Sequence, residues 1–127
     1  MLRILETKDV SAYAALLSQL PQDVHVSEAV ENDGVKGFIV YAYEPEQVVI
    51  YAVDDGQDYN YCDGLVRSVL FKAELKGIER AEFRMDDAHM LARLHTLHFV
   101  KNNEKTLENI ADIMENCKKC KENTANT

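Results

Sequence analysis

The sequence predicts an α/β fold, with helices layered on a central mixed sheet, and three features carry that prediction. In Val53–Gly77 (VDDGQDYNYCDGLVRSVLFKAELKG), Cys62, Leu65, Val66, Val69, Leu70 and Ala73 keep the spacing of one apolar helical face. Val24–Glu31, Gly37–Glu44 and Gln47–Val53 are short apolar runs separated by turn residues, as strands are. After Gly77 a further strand-like run alternates with helical patterns, which is the rhythm of a layered sheet rather than of a bundle.

Each element follows from its own residues. Leu2–Leu5 reads as a short strand. Tyr13, Leu16, Leu17 and Leu20 repeat at helical spacing across Ser11–Leu20, with Thr7 or Ser11 as cap and Pro21 as stop. Asn32-Asp33-Gly34 is a hairpin signal between the next two strands, because these residues tolerate the positive φ of tight turns. Gly37–Glu44 and Gln47–Val53 are apolar on both faces, as central strands covered on two sides would be. Asp58 or Asn60 can cap the helix that follows, and Gly77 stands where a left-handed residue ends one. Ile78–Arg84 reads as a strand and Ala88–Leu97 as a helix capped by Asp86-Asp87. Phe99-Val100 can begin a last strand, and Leu107–Cys117 reads as a closing helix. The expected organisation is one domain over residues 1–117 and a polar, frayed tail over 118–127.

Composition narrows the function classes. A formal charge of −8 argues against nucleic acid and anionic membrane surfaces, which need a basic face. No apolar run approaches the length of a membrane-spanning helix. With three cysteines and no apolar leader, a reducing cytoplasm is the expected compartment.

The element order and motif positions resemble the GNAT superfamily of acyl-CoA N-acyltransferases over roughly Val24–Lys101. AVENDGVKGFIVY is similar to that family's second and third strands, and QVVIYAV to its fourth. The family's next turn carries Gln/Arg-x-x-Gly-x-Gly/Ala, whose backbone amides hold the pyrophosphate of acyl-CoA. Tyr61-Cys62-Asp63-Gly64-Leu65-Val66 stands in that place, and DDAHMLARLHTLHFVKNN resembles the family's later helix. The resemblance implies a GNAT-like layered fold, with a C-terminal helix in place of a last strand. It implies acetyl-CoA or a related acyl-CoA as cofactor, a small-molecule or peptide amine as partner, and acyl transfer between them. Val53, Tyr61, Cys62, Asp63, Gly64, Leu65, Val66 and Arg67 would bind the cofactor. Asp54 or Asp55, just past the fourth strand, would take the amine proton.

This chain departs from the pattern in several places. Tyr61 replaces Gln or Arg, and Val66 the second small residue. Asp87 replaces Asn, Leu94 the Tyr that often acts as general acid, and His98 a Gly. Asp54, Asp55, Asp58 and Asp63 surround the helix start with Arg67 the nearest cation; they stabilise the helix dipole but repel a pyrophosphate. The alternative function is therefore a GNAT-like module that has lost acyl-CoA binding and acts through its cleft, with self-association through an unpaired sheet edge.

Other constellations are weaker. An EF-hand-type loop starting at Asp58 puts Cys62 and Asp63 where a ligand and Gly belong. Cys117-x-x-Cys120 with His95-x-x-His98 has zinc-site composition, against the plainer reading of thiols at the edge of a Lys-rich tail. Cys62 reads as a small buried hydrophobe, and His89, His95 and His98 as surface histidines without a nucleophile elbow. Tyr41, Tyr43 and Tyr51 form either a packed aromatic layer or a cleft wall.

Overall fold

The computed structural model describes residues 1–21, 23–101 and 103–114. Six strands form one sheet in sequence order: β1 (Arg3–Thr7), β2 (His25–Glu31), β3 (Gly34–Tyr43), β4 (Gln47–Asp54), β5 (Arg80–Phe83) and β6 (Thr106–Leu107). β4 and β5 run parallel, and the other neighbours antiparallel. The parallel pair needs a crossover. It is supplied by α2 (Tyr59–Leu75), which follows the short α1 (Ala14–Leu17) and precedes α3 (Ala88–Thr96).

The turns follow the local chemistry. Asn32 and Asp33 take φ of 55° and 64°, so the β2–β3 hairpin turns through two left-handed residues. Asp58 caps α2, accepting from the Asn60 amide at 2.8 Å, and Asp87 caps α3, accepting from the Met90 amide at 3.1 Å. Gly77, at φ 78°, ends α2 with the Ile78 amide on the Ala73 carbonyl. α3 ends the same way, with the Phe99 amide on the Leu94 carbonyl; there His98 occupies the left-handed position, at φ 70°.

The core lies between α2 and the sheet. Cys62, Leu65, Val66, Val69, Leu70 and Ala73 are fully buried against Ala29, Ile39, Tyr41, Val48, Ile50 and Phe83. Along the same strands Val26, Val40 and Val49 point to the opposite face and are also fully buried, so the central strands are covered on both sides. On that face Tyr13 packs on Phe38 with ring centroids 4.7 Å apart and donates to Glu28.

Three expectations need correction. The helix over Ser11–Leu20 shrinks to a 3₁₀ turn at Ser11–Tyr13 plus α1, and neither buries a residue completely, so no large apolar face holds a longer helix there. Phe99-Val100 begins no strand; both side chains are buried just after the end of α3. Leu107 belongs to β6, where it pairs with Ala81, and the closing helix starts at 110. A two-residue strand thus precedes the C-terminal helix.

Candidate functional site

The parallel pair opens into a wedge. Its register runs from Gln47↔Arg80 to Ile50↔Phe83 and stops, the Arg84 amide donating to the Ile50 carbonyl at 2.8 Å. A bulge shifts the β3–β4 register between Tyr41↔Ile50 and Val40↔Ala52, so Tyr51 is the extra residue and β4 bends at that point. Ala52, Val53 and Asp54 then pair with β3 alone, while the other wall leaves toward Asp87 and α3. A cleft of about 910 Å³ lies at the mouth, lined by Val53, Asp54, Asp55, Gln57, His89 and Arg93 among others.

The turn from β4 to α2 is tightly constrained. A Cβ on Gly37 would sit 2.3 Å from the Asp54 carbonyl oxygen, so β3 passes too close for any side chain there. Gly56 and Gln57 are consecutive left-handed residues, at φ 59° and 62°. Asp54 Oδ1 accepts from the Gly56 amide at 3.0 Å and Asp55 Oδ1 from the Gln57 amide at 2.9 Å. The Asp58 amide donates to the Asp55 carbonyl at 3.0 Å. Each aspartate satisfies backbone that the turn and the helix start would otherwise leave open.

Asp55 has a second bond. Its Oδ2 meets Arg93 Nε at 2.6 Å, and the pair is largely buried, with side chains 6% and 18% exposed. The guanidinium also lies over the Tyr59 ring, 4.1 Å from its centroid. Burial works against the Arg93 charge, but the bond and charge of Asp55 outweigh it and hold its pKa above the ordinary value. Beneath this pair lies Cys62. Burial, then the negative charge of Asp55, push its thiol up to about 12.

The fold is similar to that of solved acetyltransferases. A GNAT family acetyltransferase from Elizabethkingia anophelis with acetyl-CoA bound superposes with a TM-score of 0.60 at 14% identity, covering 76% of this chain and 74% of that one. The ribosomal-protein-alanine N-acetyltransferase of Brucella melitensis biovar Abortus 2308 gives 0.61 at 12% identity, covering 75% and 89%. The ribosomal-protein-S18-alanine N-acetyltransferase of Escherichia coli gives 0.58 at 12%, covering 84% and 88%. The chain has the GNAT acetyltransferase fold. No protein-family model and no curated protein sequence matches it.

On this GNAT fold the expected cofactor residues divide into three groups. Val53 lines the cleft. Tyr61 and Cys62 lie in the first turn of α2, but Tyr61 donates to Glu31 at 2.7 Å and Cys62 is buried. Asp63, Gly64, Leu65, Val66 and Arg67 lie beyond the helix opening, because α2 starts at Tyr59. The helix opens at the expected Asp58 cap, so the residues expected to hold the pyrophosphate at Gly64–Arg67 fall inside the helix. Backbone amides there belong to the helical ladder, and the open end is at 59–61. Asp63 and Arg67 pair with each other at 2.9 Å, and Arg67 lies over Phe99. Leu65 and Val66 are core residues. A Cβ on Gly64 would meet Leu2 and Ile4 side chains at ordinary contact distance, so this glycine faces β1.

Of the two candidate bases, Asp54 is exposed in the cleft and Asp55 is closed on Arg93. Leu94 is fully buried. Sequence reasoning passed over Gln57 and Arg93 as cleft residues. The only signal for Arg93 was a cation on the apolar helix after the fifth strand, and its partner lies 38 residues away.

Among the described residues no cluster of His, Cys, Asp and Glu could hold a metal ion. His95 and His98 are exposed, and Cys117 and Cys120 lie outside the described residues. Tyr41 and Tyr43 pack edge to face at 5.9 Å beneath His25, an aromatic layer away from the cleft. No helix among the described residues is long and apolar enough to cross a membrane.

Proposed function

We propose that this chain transfers an acyl group from a thioester to an amine within the β4–β5 wedge. The observation that carries the reading is the loss of register after Ile50, which leaves Ala52–Asp54 without a strand on the β5 side. An extended thioester arm can lie along such an edge as an added strand. One solved neighbour with this fold has acetyl-CoA bound.

The chemistry asks little of the chain. The amine nitrogen attacks the thioester carbonyl, its bond to carbon forms, and the carbon–sulfur bond breaks. The thiol leaves, taking up the proton that the amine gives up. Asp54 is the group in place to accept that proton. Among the described residues its Oδ1 holds the Gly56 amide and its Oδ2 makes no bond, whereas both oxygens of Asp55 are engaged. Asp54 and Asp87 also favour a cationic acceptor, such as an alkylammonium group, at the mouth.

The thioester end of acyl-CoA fits the wedge, but its diphosphate does not fit the turn, and no step is assigned to that part. The second reading, a non-catalytic GNAT-fold module, rests on a different observation: carboxylates hold the amides of Gly56, Gln57 and Asn60. Under it, self-association through an outer sheet edge is the expected behaviour, although β5 itself is not unpaired: Thr106–Leu107 pairs with it, the Phe83 amide donates to Lys105 and the Ile110 amide to Glu79.

Calorimetric titration with acetyl-CoA and with acetyl-pantetheine, followed by thiol-release assays across a panel of amines, separates the two. Binding with amine-dependent thiol release supports transfer, and that release should fall at least tenfold in Asp54→Asn. No binding of either thioester, together with a dimer by light scattering, favours the module.

A further inference from the structure

We infer that the start of α2 takes no phosphate, because the chain's own aspartates occupy the amide cradle that a diphosphate would use. This rests on the GNAT fold and deepens the reading above, since a donor held this way would be recognised by its pantetheine arm and not by its nucleotide.

A diphosphate at a helix start needs open backbone amides and a favourable field. Here four of the amides around the turn are already bonded, which leaves those of Tyr59 and Tyr61 as the open pair among the described residues. Gly56 donates to Asp54 at 3.0 Å, Gln57 to Asp55 at 2.9 Å and Asn60 to Asp58 at 2.8 Å, while the Asp58 amide is turned back onto the Asp55 carbonyl. The turn is also held from behind. Gly37 lets β3 press against the Asp54–Asp55 backbone, and a Cβ on Gly56 would lie 2.9 Å from the Lys36 carbonyl oxygen. The loop therefore has little freedom to reopen around a ligand. The field is unfavourable as well. Asp54, Asp55 and Asp87 line the cleft, and the single guanidinium there among the described residues, Arg93, is closed on Asp55 at 2.6 Å. Asp55 thus removes both an amide and the cation that a phosphate would seek.

The test is an amide-resolved NMR titration of the full chain with three separate probes: inorganic pyrophosphate, acetyl-CoA and acetyl-pantetheine. In the natural protein, pyrophosphate is expected to leave the amides of Gly56, Gln57, Asp58 and Asn60 unmoved at millimolar concentration. Acetyl-CoA and acetyl-pantetheine are expected to shift residues 51–53 with affinities within threefold of each other. The variant Asp54→Ala/Asp58→Gly removes two acceptors at exposed or partly exposed positions without touching the buried pair. In it pyrophosphate is expected to shift the Gly56 and Asn60 amides saturably.

Saturable movement of the four amides by pyrophosphate in the natural protein would overturn the inference. So would acetyl-CoA binding more than tenfold tighter than acetyl-pantetheine, or a folded variant that stays silent toward pyrophosphate. If neither thioester moves residues 51–53, the acyl-transfer reading falls, and the pyrophosphate arms still decide the inference separately.

Discussion

Replacing Asp55 with alanine tests the most consequential contact in the cleft. Asp55 is 4% exposed, and its partner Arg93 already has one guanidinium nitrogen buried without a partner. Removing the carboxylate strands a charge that little water reaches, and breaking a buried pair costs about 3–5 kcal/mol. The lost bond to the Gln57 amide adds about 1 kcal/mol. The Tyr59 ring under the guanidinium offsets roughly 0.5–1 kcal/mol of this, so Asp55→Ala should lose about 3–5.5 kcal/mol. Arg93→Met leaves Asp55 as the stranded member and should cost a similar amount. The double variant has no charge to strand, so it should be more stable than the sum of the single losses predicts, by about 2 kcal/mol. Urea unfolding at neutral pH measures all four proteins, provided the slope stays constant across the set. A loss below about 1 kcal/mol in Asp55→Ala, or a coupling below about 0.5 kcal/mol, would show that the pair is solvated and that Arg93 is free for a ligand.

Four other outcomes are expected. Gly37→Ala should destabilise by about 2–3 kcal/mol in the same urea assay, because its Cβ would meet backbone at 2.3 Å and not a side chain that can move. His98→Gly should stabilise by about 1 kcal/mol, since a left-handed φ of 70° costs a non-glycine residue about that much. Cys62, with its thiol pushed up to about 12, should be alkylated at pH 8 at least 100-fold more slowly in the folded chain than in urea, as peptide mapping would show. Glu6 titrates below its ordinary 4.5, because burial is outweighed by bonds from His25 and Lys72. Its stabilising contribution is present above pH 4.5 and lost as pH falls through the lower folded value, so the stability gap between Glu6→Gln and the natural chain should narrow as pH falls below 4.5.

What the sequence revealed was local chemistry. The Asn32-Asp33 hairpin, the Asp58 cap, the Gly77 stop and the apolar face of α2 each depend on residues within a few positions of one another, and each is found as the spacing predicts. The cofactor residues are matched on an equally local signal. Aligning a family glycine with Gly64 puts the expected pyrophosphate amides inside α2, whose opening Asp58 caps as the sequence predicts. Gly64 instead faces the side chains of Ile4 in β1 and of Leu2 just before it, about sixty residues earlier in the chain, which no helical period reports. Arg93 and Gln57 escaped for the same kind of reason: the α2 crossover and the bulge at Tyr51 bring them to the cleft from separate parts of the chain.

The aspartates show how one residue type can serve both readings of this site. An anionic ligand at a helix start and an aspartate at its N-cap satisfy the same amides and the same dipole. A chain that places aspartate at 54, 55 and 58 gains helix and turn stability whether or not a thioester enters the wedge. The wedge has a different origin, in the β4 bulge and the Ile50↔Phe83 end of the register, and none of those aspartates creates it. Phosphate affinity and thioester affinity are therefore separable properties of this fold. Substitutions in the turn should change the first and leave the groove along Ala52–Val53 intact.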